Sequence, residues 1–193
     1  MMIKLDLSKA YDHLSWNYLQ SIIKVFGFDS RWIRWISLMI STPVFSILLN
    51  GSLTDAFNAI RGLRQGDPMS LFLFIFTAEG LERYVKEKVQ GEQFRGLRMW
   101  GNDFSLTHQQ FVDDIMMFGQ TTLKEARALM EILNNFMNVS RTEINKDKSD
   151  ILFFNIAAPS QDFLAIIMGF DIGNIPTKYL GILLSLHPIR VAN

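Results

Sequence analysis

The stretch Phe104-Ser105-Leu106-Thr107-His108-Gln109-Gln110-Phe111-Val112-Asp113-Asp114-Ile115-Met116-Met117-Phe118 decides how this chain folds. Two apolar-rich runs, 104–111 and 115–118, have the length and composition of short strands. Between them lie two adjacent carboxylates, a residue type that favours turns because its side chain bonds the local backbone. The stretch therefore predicts two strands meeting at an acidic junction.

The same period-2 signal opens the chain. Ile3, Leu5 and Leu7 alternate with Lys4, Asp6 and Ser8, which predicts a half-buried strand with Asp6 near its end. Helical periodicity follows: Ser15 as a cap, Trp16, Leu19, Ile22, Ile23 and Phe26 on one stripe, and Gly27 as a stop. A second helix is expected from Arg31 to about Ile40, ahead of Pro43. Val44–Leu49 with the Asn50–Gly51 pair reads as a β-hairpin. Asp67 is a natural N-cap for a helix whose first position is Pro68 and which runs to about Val89. A strand is expected over Phe94–Trp100, set off from the next by Gly101–Asn102. Thr122 and Glu125 form a capping-box pattern for a helix through Met137. The remainder predicts a strand at Ile151–Phe154, a short helix to Gly169 and a last strand around Lys178–Ser185. Strands and helices mix without a βαβ rhythm, so the expected class is α+β, a mostly antiparallel sheet covered by helices.

Composition narrows the function classes. Of 193 residues, 49% are hydrophobic and 20% charged, an ordinary globular balance with enough apolar material for one core. Lys+Arg and Asp+Glu are equal at 19 each, whereas a self-sufficient nucleic-acid binder is usually basic. There is no cysteine, which excludes disulfides and thiolate metal sites. The apolar run Leu71–Phe76 is far too short to span a bilayer, and the N-terminus is no signal peptide. The expectation is a soluble intracellular protein with no membrane partner.

Asp6 and the Asp113–Asp114 pair are the candidates for chemistry. Brought together, their carboxylates make an all-oxygen site for Mg²⁺, and two such ions about 3.5–4 Å apart can drive in-line phosphoryl transfer. Neighbouring residues on a strand face opposite ways, so one of Asp113 and Asp114 should hold metal more directly than the other. Taken singly, each acidic site reads more readily as an ordinary turn.

The surroundings change that reading. Lys4–Leu5–Asp6–Leu7–Ser8–Lys9–Ala10–Tyr11–Asp12 resembles the first palm motif of non-LTR retrotransposon and group II intron reverse transcriptases. Arg61–Gly62–Leu63–Arg64–Gln65–Gly66–Asp67–Pro68–Met69–Ser70 is similar to the family's Arg-Gln-Gly-Asp-Pro-Leu-Ser-Pro motif, and Phe111–Val112–Asp113–Asp114 to its Phe/Tyr-x-Asp-Asp signature. Ile144–Asn145–Lys146–Asp147–Lys148–Ser149 resembles the Asn-x-x-Lys-Ser of the next motif, and Tyr179–Leu180–Gly181–Ile182 the Tyr-Leu-Gly after it. Five motifs in the family's order cover nearly the whole chain.

The resemblance implies a polymerase palm spanning 1–193, with the upstream fingers and downstream thumb of the parent polyprotein outside it. It implies an RNA-directed DNA polymerase that joins dNTPs to a DNA primer on an RNA template, in a nuclear or cytoplasmic ribonucleoprotein. Asp6 and Asp113 would hold Mg²⁺, with Asp114 a second, less direct carboxylate. The amides after Asp6, beginning with Leu7, would face the triphosphate. Tyr11 would be the steric gate against a ribonucleotide 2′-hydroxyl, Gln65 and Gly66 would line the nucleotide and template pocket, and Lys148 would sit near the leaving pyrophosphate. Asp12 and Asp67 read as structural.

The chain departs from the family pattern in places. Leu71 replaces a Pro, Arg141 replaces a Gly at a helix end, and Gln109 and Gln110 stand where apolar residues are usual. One of these glutamines should point inward, and an unpaired buried amide costs roughly 1–3 kcal/mol. The competing reading is a non-catalytic relic or interaction module that keeps only the palm fold. An RNA-templated RNA polymerase is a third, and Tyr11 argues against it.

Overall fold

The opening strand covers Met2–Ser8, and its alternation is realised: Ile3, Leu5 and Leu7 are buried, while Lys4, Asp6 and Ser8 are half-exposed. It lies in the middle of the main sheet of the computed structural model, which describes residues 1–98 and 105–185. From one edge the strands run Asp171–Ile172, Asp150–Leu152, Met2–Ser8, Asp114–Phe118 and His108–Phe111. Met2–Ser8 is antiparallel to Asp150–Leu152 and Asp114–Phe118 and also pairs with the short strand Glu143–Ile144, and the edge pair Asp150–Leu152/Asp171–Ile172 is parallel. The architecture is the α+β, mostly antiparallel arrangement expected of a polymerase palm.

The described residues divide into two compact units. The first comprises 1–8, 85–133 and the residues from 144 on, and contains this sheet. One face of the sheet buries Ile3, Leu5, Ile115, Met117 and Ile151. On the other, Met2, Met116, Leu152 and Tyr179 form a small apolar cluster, with Phe118, Phe154, Ile175 and Leu184 against it. The expected last strand is two: Thr177–Tyr179 and Ile182–Leu184 form a hairpin closed by Leu180 (φ 49°) and Gly181 (φ 79°). A run of strand-forming residues concealed the Leu-Gly turn.

The second unit comprises 9–84 and 134–143. Its helix Trp16–Val25 is capped by the Ser15 hydroxyl, which accepts from the Tyr18 amide at 3.3 Å. The next helix, Ser30–Ser41, starts on Asp29. Asn50 (φ 50°) and Gly51 (φ 84°) turn Leu48–Leu49 back onto Ser52–Leu53, as expected of an Asn-Gly hairpin. Asp67 opens the long helix Pro68–Gln90 by accepting from the Met69 amide at 2.9 Å. The short helix Ala10–His13 was not anticipated.

Three expectations need adjustment. Of the two strands expected over 94–111, the segments Leu97–Arg98, Ser105–Leu106 and His108–Phe111 form, and 99–104 lie outside the described residues. Helix Leu123–Ser140 uses only half of the capping box: Thr122 Oγ1 accepts from the Glu125 amide at 3.3 Å, but the Glu125 carboxylate accepts from the Arg95 and Gly96 amides instead. A buried carboxylate gains more from two unpaired loop donors than from one cap amide. Gln110, half-buried, donates to the Val112 carbonyl at 3.1 Å while Gln109 is exposed, so the feared unpaired amide does not arise. No helix among the described residues is long and apolar enough to cross a membrane.

Candidate active site

Within the first unit, Asp6 lies directly opposite Asp114 in the antiparallel register. Opposite residues share a face, so these two carboxylates project to the same side of the sheet. Phe111 pairs with Asp114, which leaves Val112 and Asp113 as the two central residues of the connecting turn, with Val112 at φ 54°. Asp113 is thus exposed at the tip of the hairpin, and the register partner of Asp6 is Asp114, the carboxylate to which the resemblance gives the less direct role. The tight two-residue turn takes one residue more from the Asp-Asp pair than strand lengths alone implied.

Backbone bonds fix this junction. Leu7 N–H donates to the Asp113 carbonyl at 3.1 Å. That amide was expected to face a triphosphate; it is already committed to holding the turn. The Asn145–Ser149 motif clamps Asp6 from the other side. Asn145 N–H donates to the Asp6 carbonyl at 2.8 Å, and Asp6 N–H donates to Ser149 Oγ at 3.1 Å. Ser149 Oγ in turn donates to the Asn145 carbonyl at 2.7 Å. Between them, Lys146–Lys148 form one 3₁₀ turn that leaves Lys148 exposed. Asn145 and Ser149 are functional positions that the sequence reading misses; the signal was their place in the motif that carries Lys148. Tyr179 Oη lies 3.5 Å from the Asp114 carbonyl, at the outer limit of a hydrogen bond.

The electrostatics follow from this crowding. Burial pushes the Asp114 carboxyl above the ordinary carboxylate value, and the charges of Asp113 and Asp6 push it further, while Lys4 and Lys148 oppose them. Among the described residues no three or more His, Cys, Asp or Glu side chains gather into a metal-holding group. The donor chemistry nevertheless fits a hard cation such as Mg²⁺: the candidates are all carboxylate oxygens, and their mutual repulsion on Asp114 is what a bound cation relieves.

The second unit holds the other candidates. Tyr11 stacks on Phe74, with ring centroids 4.8 Å apart and planes 14° from parallel. Gly62 and Leu63 lie backbone-to-backbone on the first motif: Leu63 N–H donates to the Tyr11 carbonyl at 2.7 Å and Gly62 N–H to the Leu14 carbonyl at 2.8 Å. The Gly62 carbonyl accepts from the Trp16 indole at 2.6 Å. A Cβ at Gly62 would lie 2.6 Å from the Asp12 carbonyl oxygen, and φ is 85°, so the contact requires glycine. Gln65 Nε2 reaches Asp12 Oδ1 at 3.4 Å and lines a cavity of about 500 Å³ with Arg61, Arg64, Asp67, Phe45 and Phe57. Gly66, at φ 84°, does not line it.

The reverse transcriptase (RNA-dependent DNA polymerase) family model matches residues 1–184. The chain belongs to that family. This reverse transcriptase domain is 25% identical over 144 residues to the retrovirus-related Pol polyprotein of the type-2 retrotransposable element R2DM of Drosophila melanogaster, covering 75% of this chain and 13% of that protein. It is 25% identical over 191 residues to the transposon TX1 149 kDa protein of Xenopus laevis, covering 98% of this chain and 14% of that one. The resemblance to non-LTR retrotransposon proteins is thereby borne out, over a small part of their length. The fold of the reverse transcriptase domain is shared with apo telomerase from Candida tropicalis (TM-score 0.60, 16% identity, 81% of this chain and 31% of that one). It is also shared with Candida albicans telomerase (TM-score 0.61, 13% identity, 82% and 27%).

Proposed function

We propose that this domain carries out nucleotidyl transfer on a primer 3′-hydroxyl within a non-LTR retrotransposon reverse transcriptase, with Asp6, Asp113 and Asp114 as the residues that hold Mg²⁺. The observation that supports the reading most is the direct pairing of Asp6 with Asp114 beside an acidic turn whose only side-chain donors are oxygens. In the reaction the 3′-oxygen bonds to the α-phosphorus of a dNTP, the bond to the bridging oxygen breaks, and pyrophosphate leaves. The hydroxyl proton passes to solvent. Mg²⁺ bound by these carboxylates supplies positive charge that acidifies the hydroxyl and offsets charge on the phosphorus.

The chain's own groups do the rest. The clamp by Asn145 and Ser149 holds the Asp6 backbone, which limits how far its carboxylate can wander. Lys148, exposed and close enough to lower the Asp114 pKa, is a cation that can meet a leaving pyrophosphate. Tyr11, braced by Phe74, excludes a 2′-hydroxyl, and Gln65 with Gly66 contacts nucleotide or template. The chain spans 13–14% of the length of the retrotransposon proteins it matches. Grip on the RNA template and DNA primer is therefore assigned to other parts of such a polyprotein, the fingers and thumb, acting in an intracellular ribonucleoprotein.

The test is a chimera in which residues 1–184 replace the matching segment of an active relative, assayed for primer extension on an RNA template. Mg²⁺-dependent extension that Asp113→Ala and Asp6→Ala each reduce by a factor of 100 or more, on the order of 3 kcal/mol of barrier, is expected. A folded chimera that binds primer–template and extends nothing overturns the catalytic reading and favours a non-catalytic module.

A further inference from the structure

The face of the sheet that carries Asp6 and Asp114 also carries Lys4 and Asp150, which the proposed chemistry leaves unused. Lys4 is two residues before Asp6 on the same strand and the same face. Its partner across one side is Asp150, and across the other Met116, one step along from Asp114. Opposite partners in antiparallel strands have Cβ atoms about 4.5–5.5 Å apart, and diagonal ones about 7–8 Å, within reach of a long side chain. The Lys4 side chain can therefore extend toward Asp150 on one side or Asp114 on the other.

Asp150 is built to receive it. Its Oδ1 is buried and has no hydrogen-bond partner. Its carboxyl is wedged against Gly173: a Cβ there would come within 2.8 Å of Asp150 Cγ, and Gly173 N–H is itself tied to the Ile151 carbonyl at 2.9 Å. A buried acceptor with nothing bonded to it is destabilising, so it is retained at a cost unless a donor visits. Lys4 shifts both carboxyls in the same sense, lowering the pKa of Asp114 and of Asp150 against the effect of burial.

Resting on the metal reading above, we propose that Lys4 is a positioning residue with two alternative partners. Its ammonium neutralises Asp114 while the carboxylates are metal-free, and it moves to Asp150 when a divalent cation takes its place. The lysine prevents Asp6, Asp113 and Asp114 from repelling one another apart in the empty site. Asp150 gives the displaced charge somewhere to go, so the incoming cation is not opposed by an ammonium left beside it.

The experiment measures Mn²⁺ binding to the 193-residue chain by the loss of the free-ion EPR signal, with circular dichroism melts as a check on folding. Lys4→Met removes the competitor and should tighten Mn²⁺ binding several-fold. Asp150→Asn removes the alternative partner and should weaken it several-fold. The double variant should behave as Lys4→Met, because Asp150 acts only through the lysine. Lys4→Arg, which keeps the charge, should stay near wild type and should still be weakened by Asp150→Asn. Single variants that shift affinity in the same direction, or a double variant equal to the sum of the singles, overturn the proposal. Saturable wild-type binding lost in Asp114→Asn but unmoved by Lys4→Met overturns the lysine's role alone. Wild-type chain without such binding overturns the metal reading and this inference together.

Discussion

Ser149 holds Asp6 through the backbone: its Oγ accepts the Asp6 amide proton at 3.1 Å and donates its own to the Asn145 carbonyl at 2.7 Å. Ser149 is buried, 3% exposed, so water cannot substitute for it. Ser149→Ala leaves the Asp6 N–H without its acceptor, while the Asn145 carbonyl keeps the Lys148 amide at 3.2 Å. A loss of about 1–3 kcal/mol in urea unfolding is expected. A change below about 0.5 kcal/mol, the range of ordinary surface substitutions, would show that the clamp contributes nothing. In the chimera, Ser149→Ala should also lower extension more than a loss of stability of that size can explain.

Arg141 sits where the family has glycine, and its φ is 62°, the left-handed region that penalises a side chain. Its amide closes the helix on the Met137 carbonyl at 2.8 Å. Arg141→Gly should stabilise the chain by about 1 kcal/mol, and Arg141→Ala should not, since Ala keeps the Cβ that causes the strain. Chemical denaturation of the three proteins separates the outcomes. Equal stabilities for Gly and Ala would mean that the backbone strain is negligible.

Gly80 offers the opposite sign. In a helix interior Gly→Ala usually gains about 1 kcal/mol. A Cβ here would overlap the Tyr18 hydroxyl, which is buried and donates to the Thr77 carbonyl at 3.1 Å. Gly80→Ala should therefore destabilise by about 1–3 kcal/mol, the usual cost of overpacking. Adding Tyr18→Phe, which removes the oxygen, should recover part of that loss. Additive losses in the double variant would rule out the overlap as the cause.

Burial raises the Asp150 carboxyl above its ordinary value of 3.8, with Lys4 partly opposing. The folded chain then binds this proton more tightly than the unfolded chain does. The neutral form favours folding, and that contribution is lost as pH rises from about 3.8 through the raised folded value. Asp150→Asn mimics the neutral form, so the stability difference between variant and wild type should grow in the variant's favour across that window. Denaturant midpoints that track in parallel from pH 3 to 7 would contradict it.

Much of this was legible in the residues. The alternation Ile3–Leu5–Leu7 fixed which face is core, and with it the face that carries Asp6. Ser15, Asp67 and the Asn50–Gly51 pair act locally, so their caps and turn could be read without tertiary information. What escaped was set by register or by distant backbone groups. Which of Asp113 and Asp114 faces Asp6 depends on a two-residue turn, and slipping one residue exchanges them. The Leu7 amide was lost to Asp113 and the Glu125 carboxylate to Arg95 and Gly96, through partners far apart in sequence. Lys4 drew no notice because a lysine on an exposed face is usually just solvated; only its pairing with Asp150 distinguishes it.

Tyr11 is the residue on which sugar selectivity should turn. Its ring lies against Phe74 in a near-parallel stack, centroids 4.8 Å apart, so its position is set by a partner on helix Pro68–Gln90 and not by solvent. A fixed ring can reject a 2′-hydroxyl by steric overlap, whereas a mobile one would yield, and a clash against the wrong substrate gives selectivity without improving the right one. In the chimera, Tyr11→Ala should raise kcat/KM for ribonucleotides by a factor of 10 or more, about 1.4 kcal/mol, while changing that for deoxynucleotides much less. Tyr11→Phe keeps the ring and should keep the exclusion. Phe74→Leu removes the brace but not the ring, and should give an intermediate ratio. If Tyr11→Ala leaves the ribonucleotide-to-deoxynucleotide ratio unchanged, the gate lies elsewhere and the Tyr11–Phe74 stack is packing alone.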